Sequence, residues 1–202
     1  MKLRYVIFIL VFFAATLIQA QDKKSGIGAA ADPMDERGST RVLYWNRTKD
    51  EAAGEFSIDY GRPVWQAAYE NTAAFDTATK GKVWRMGSNF WTVLDTNLPI
   101  KISGKDVPIG SWYLGLRRAN DGSWSLVFID PAKTRAAHID GYDINKAAIA
   151  FETPVKIEQA EDKKEKLTIE LSVKKDNMKD VTLRIYWGNL QLSAPIQVTV
   201  ES

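Results

Sequence analysis

The chain contains no cysteine. Thiol chemistry, iron–sulfur clusters and cysteine-ligated zinc are therefore excluded, and stability must come from a packed core rather than from disulfides. Histidine is nearly absent too, with His138 alone, and there is no Gly-x-Ser-x-Gly elbow. A serine–histidine nucleophile thus lacks its frame, and His138 reads as a surface or helix-end residue. Nor is there an excess of one charge. Lys and Arg number 27 against 25 Asp and Glu, and the first twenty residues hold Lys2 and Arg4 but no acid. The remainder carries 25 of each sign and nets to zero, which gives no support to nucleic-acid binding. The apolar run from Tyr5 to Ile18 has 14 residues, short of the roughly 20 that a membrane-spanning helix needs.

What the N-terminus does have is the layout of a secretory signal peptide. The basic Lys2 and Arg4 precede that run, and the small residue Ala20 precedes the polar stretch Gln21 to Lys24. Cleavage is expected after Ala20, and no cysteine follows for lipid attachment. The expected product, Gln21 to Ser202, has 182 residues and is periplasmic or secreted, with no membrane span. One domain of that size buries about 70% of its unfolded surface.

Residues 21–40 lack an apolar period and read as a flexible linker. Residues 41–202 read as a single β-rich domain. Glu55 to Tyr60 alternates and ends at Gly61-Arg62-Pro63. Residues 64–80 fit either a short helix, from the spacing of Trp65, Ala68, Tyr69 and Ala73, or a loop, from Asn71, Thr72 and Thr77. Strands follow at Trp91 to Thr96 and Ile100 to Ser103, with a turn at Gly104-Lys105-Asp106. Ser111 to Arg117 and Ser123 to Ile129 alternate around Asn120-Asp121-Gly122, a hairpin turn because these residues tolerate positive φ. Asp130 is placed to cap a short helix opened by Pro131. The cleanest period of two runs through Leu167 to Val173, Val181 to Trp187 and Leu190 to Val200. The charge run Glu161 to Lys166 and the pair Gly188-Asn189 are expected to be turns between strands. One apolar face per strand predicts antiparallel sheets with a solvated side. The fold class is mainly β, an antiparallel β-sandwich or open barrel with one to three short helices.

Several stretches occur in a familiar order. They are Ile58-Asp59-Tyr60-Gly61-Arg62-Pro63, Gly81-Lys82-Val83-Trp84-Arg85-Met86-Gly87-Ser88-Asn89, Ile102-Ser103-Gly104-Lys105, Gly110 to Leu114, and Trp124 to Phe128. The series resembles the bacterial family called domain of unknown function 2911, over about residues 55–200. That resemblance implies a β-rich domain, typical export and no established activity. Two features depart from the family's usual pattern. Phe90 stands where a Glu often follows the Asn, and Trp65 to Lys80 replaces a compact Gly-Arg-x-Phe-Gly stretch.

The candidate binding residues are Asp59, Arg62, Trp84, Arg85 and Asn89. Arg62 and Arg85 sit beside glycines at strand ends, where loops carry function on a rigid scaffold, and a guanidinium suits a carboxylate or phosphate. They are expected to converge on one face near Asp59 and Asn89, either as a ligand site or as an internal ion pair with Asp59. Trp112, Trp124 and Trp187 fit the apolar faces of their strands. Trp45, Trp65 and Trp84 fall outside clean alternation and are either packed or exposed for stacking. Asp140 to Asn145 offers oxygens spaced loosely like a calcium loop but lacks the remaining ligands, so a polar turn is expected. No catalytic residue, metal or cofactor is called for. The first reading is a non-enzymatic binding or accessory module of the envelope, its partner a small ligand, a glycan or an envelope protein. The alternatives are a hydrolase on glycan or peptide, using carboxylates such as Asp59, Glu70, Asp95 and Asp130, and a structural subunit of an envelope assembly.

Overall fold

The computed structural model describes Gly26, Gly28, Ala29 and residues 36–200. The expected export signal lies outside the described residues, as does most of the expected linker. The linker's last four positions are corrected: from Arg37 the chain is already strand, β1 (Arg37–Asn46), paired with β2 (Glu51–Gly61). In β2, Phe56, Ile58 and Tyr60 are buried and the residues between them are not. This is the period of two that a half-buried strand requires.

The other strands are β3 (Lys82–Trp84), β4 (Thr92–Thr96), β5 (Ile100–Ile102), β6 (Lys105–Val107), β7 (Gly110–Arg118), β8 (Trp124–Ile129), β9 (Ile149–Val173) and β10 (Asp180–Val198). Every ladder between them is antiparallel, in the order β1-β2-β4-β7-β8-β9-β10-β5-β6, with β3 against β7. The first part of β9 pairs with β8, and from Lys156 onward it pairs with β10, so one strand carries the sheet around a bend. Beyond that bend Lys166 meets Val64, Leu167 N donates to Pro63 O, and Trp65 N donates to Glu165 O. The sheet thus curls back toward the end of β2, while its terminal strands β1 and β6 do not pair with each other. Of the two architectures expected, this is an open barrel. Phe56, Leu94, Leu114, Leu126, Leu167 and Leu183 fill its core at 1% exposure or less.

Three expectations change. The turn after β5 is Ser103-Gly104, both at positive φ, and Lys105 already begins β6. The outer side of β7 and β8 is not solvated: Tyr113, Val127 and Ile129 are covered by Ile144 from a 3₁₀ turn at Gly141–Lys146. The charge run 161–166 and Gly188-Asn189 are not turns, because each lies inside a continuous strand. Opposite the four steps from Tyr186 to Leu190, β9 spends nine, from Thr168 to Gln159. The charged run is the bulged part of β9, and bulges are how a strand bends without leaving its ladder.

The hairpin at 119–123 forms as expected, with Gly122 at φ 91 and Ala119 N donating to Ser123 O. Asp130 caps α2 (Pro131–Ala136) through Ala132 N and Lys133 N. His138 is exposed at φ 54 just past that helix. Among the described residues no helix is long and apolar enough to cross a membrane.

Candidate functional site

The segment 64–80 is where the ambiguity in the sequence resolves into a site. A 3₁₀ turn, Ala67–Glu70, leads to α1 (Thr72–Thr79). Asn71, which favoured a loop by composition, is the N-cap, its side chain accepting from Ala74 N at 3.1 Å. Such capping satisfies a helix-end amide that otherwise lacks a partner. No residue of α1 is buried. It lies as a lid over an aromatic cluster.

The cluster is assembled from separate elements. β3 pairs with β7 so that Trp84 stands opposite Leu116 on the inner face, while Val83 joins the outer cluster. Trp84 stacks on Trp187 of β10 at 4.6 Å and 14°. Tyr69 comes from the 3₁₀ turn, Phe75 from the lid, and Trp124 from the start of β8. Trp65 packs edge-on against Trp187 at 5.1 Å and seats on the bulge at Gly188. Such offset and edge-to-face pairs are the favoured aromatic geometries. Between Tyr69, Phe75, Trp84, Leu116, Trp124 and Trp187 remains a cavity of about 130 Å³.

Two carboxylates hold the lid down. Glu70 accepts from Trp65 Nε1 at 2.8 Å, from Asn189 Nδ2 at 2.9 Å and from Lys163. Asp76 pairs with Lys80 at 2.7 Å and with Arg118 at 2.8 Å. Both carboxyls are held below the usual range, Glu70 chiefly by its bond from Lys163 and Asp76 chiefly by Lys80 and then Arg118. The Arg118 guanidinium lies over the Phe75 and Trp124 rings at 5.3 and 5.7 Å.

The five expected site residues do not form one site. Trp84 belongs to the cavity. Arg62 follows the inward-facing Tyr60; it donates to Leu167 O and Thr168 Oγ1 of β9 and pairs with Glu36. Asp59 pairs with Arg37, whose guanidinium also reaches Trp91 O. Arg85 donates to Gly87 O and Asn89 O and lies 3.9 Å from the Tyr142 ring, whose hydroxyl donates to Asn89 Oδ1. Arg85 and Asn89 thus sit together beside the outer cluster, and the two arginines share no partner. Arg62 is tied to β9 and Glu36, whereas Arg85 is tied to the 87–89 loop and Tyr142. Neither arginine takes Asp59.

The motif loops do meet, through backbone. A methyl placed on Gly61 would lie 2.4 Å from Ser88 O, closer than packing permits, so only glycine fits that crossing. Gly61 and the 86–89 loop are therefore packed backbone to backbone where β2 ends.

The calcium-like loop is a polar turn: Asp140 Oδ1 accepts from Tyr142 N and Asp143 N, and Asp143 pairs with Lys146. Among the described residues no group of three or more acids or histidines is placed to hold a metal ion. The four carboxylates considered for hydrolysis are all engaged: Asp59 with Arg37, Glu70 with Trp65, Lys163 and Asn189, Asp95 with Ser111, and Asp130 at its cap. Of the tryptophans left open, Trp65 and Trp84 pack and Trp45 is 51% exposed. The cavity's lid sits in the stretch 64–80, whose composition fits both a helix and a loop. The signal available was the aromatic density of Trp65, Tyr69 and Phe75.

No curated protein and no solved structure matches the chain. A family model does match, over residues 46–196, described as a protein of unknown function, DUF2911. With three quarters of its length matched, the chain belongs to this family.

Proposed function

We propose that this protein is a non-enzymatic binding module, exported to the periplasm or the medium, that holds a small apolar group beneath α1. The observation that carries the reading is the cavity of about 130 Å³ walled by five aromatic rings. A cavity of roughly 150 Å³ with apolar walls takes up benzene, so this one matches a single six-membered ring or a short alkyl end. Apolar walls with few polar groups are the usual composition of small-ligand sites. Export is supported by the basic start, short apolar run and Ala20 of the sequence.

Against hydrolysis stands the state of the carboxylates. An acid catalyst needs a carboxyl whose pKa is raised. Every carboxyl whose pKa is displaced among the described residues is displaced downward: Glu36, Glu70, Asp76, Asp121 and Glu158. The structural-subunit reading has one observation behind it, an exposed apolar edge at Trp45 and Met178, 51% and 71% exposed.

Titration with benzyl alcohol, followed by tryptophan fluorescence, tests the binding reading. Saturable quenching is expected for the native protein and its loss in Ala78→Phe, because Ala78 lines the cavity from α1. Linear, unsaturable quenching in the native protein would contradict it.

A further inference from the structure

The cavity has a charge pattern that narrows its ligand. Among its lining residues one side chain is charged, Lys82, and none is a carboxylate. The Lys82 ammonium donates to a carbonyl, Thr77 O at 2.7 Å, and has no carboxylate partner among the described residues. Its cross-strand neighbour is Arg118, and directly paired residues of an antiparallel ladder share a face. Arg118 Nη1 is taken by Thr79 Oγ1 and Asp76, while its buried Nε has no hydrogen-bond partner. Asp76 is in turn shared with Lys80. Lys82 and Arg118 thus both reach α1, Lys82 at Thr77 O and Arg118 at Thr79 Oγ1 and Asp76, and of the two only Lys82 lines the cavity.

We infer that the ligand is a small apolar monocarboxylate, its ring or alkyl body between Trp84 and Phe75 and its carboxylate on Lys82 Nζ. The inference rests on the binding reading above and adds the ligand's chemical class. An ammonium gains by exchanging a neutral carbonyl for an ionised acceptor, because charge-assisted hydrogen bonds are about twice as strong as neutral ones. A cationic end placed at Lys82 would meet an ammonium, the one charged side chain of the lining.

The test compares phenylacetate, the neutral 2-phenylethanol and the cationic phenethylamine by calorimetry at low salt, with the full chain and with Lys82→Met and Lys82→Arg. Phenylacetate is expected to bind at least about tenfold more tightly than 2-phenylethanol, with phenethylamine weakest. Lys82→Met should abolish that preference, and Lys82→Arg should retain it. Hexanoate in place of phenylacetate distinguishes a chain from a ring, and a carboxylate preference in either supports the class. Equal binding of anion and alcohol by the native protein, or a preference that survives Lys82→Met, would overturn the inference and leave the cavity reading standing. If none of the compounds binds, both fall. Lys82 is exposed on the short edge strand β3, and circular dichroism of each variant confirms that it folds.

Discussion

At the scale of single residues, Gly188 shows what the aromatic cluster demands. It sits at φ +59, and a methyl there would lie 2.0 Å from the Trp65 ring. Gly188→Ala therefore meets both a left-handed backbone and a ring that cannot retreat, since Trp65 is also held by Glu70. A drop in melting temperature is expected, larger than for Gly122→Ala, whose site also has positive φ but open space around it. Equal drops would show that backbone conformation alone matters. Arg62 gives the opposite case. Its pair with Glu36 is partly exposed, 28% and 44% for the two side chains, and exposed pairs contribute little to stability. A double-mutant cycle of Arg62→Ala and Glu36→Ala should return a negligible coupling. A large coupling would mark a truly buried pair. Sequence could single out Arg62 and Arg85, because glycine neighbours mark bends. It could not orient them, because which side a loop residue faces depends on where the next strand docks.

At the scale of elements, α1 is a helix held by charge as much as by packing. Glu70 and Asp76 both have depressed pKa values in the folded state. A depressed carboxyl contributes stability that is present above its unfolded pKa and lost as pH falls through the folded one. The lid should therefore be held at neutral pH and begin to loosen only once pH falls below the ordinary carboxyl range of about 4, because both carboxyls are held below it. Amide hydrogen exchange at pH 6 and pH 3, corrected for intrinsic rates, should show protection lost in 72–80 before it is lost in β7 and β8. Simultaneous loss would contradict the carboxylate tether. The lid's existence was only half legible. Asn71 and the threonines speak for a loop until Asn71 is seen as a cap and Thr77 and Thr79 bond back to Ala73 O and Phe75 O. The β9 bulge is hidden in the sequence for a related reason. A run of Glu and Lys looks like a solvated turn, and only the partner strand β10 shows that the ladder continues through it.

For the molecule as a whole, the alternating strands made the β class and the hairpin at 119–123 readable, because a period of two is a local signal. Closure of the sheet through Val64 and Lys166 was not readable, since it joins segments about a hundred residues apart. Stability should reside in the barrel core. Leu183 is fully buried, and Leu183→Ala should cost about 2–5 kcal/mol. In a chain of this length that lowers the melting temperature by roughly 5–15 °C. Met178→Ala, at an exposed site, should leave it nearly unchanged, and a comparable loss there would mean that the Trp45 edge is part of the stable structure. The central claim, that the space beneath α1 is a ligand site, is tested most directly by the seven indole N–H signals in a nitrogen-15 spectrum recorded during a benzyl alcohol titration. The account predicts saturable shifts of Trp84, Trp124 and Trp187, which line the cavity, with Trp45 and Trp112 unmoved. Shifts confined to Trp45, or none that saturate, would contradict it.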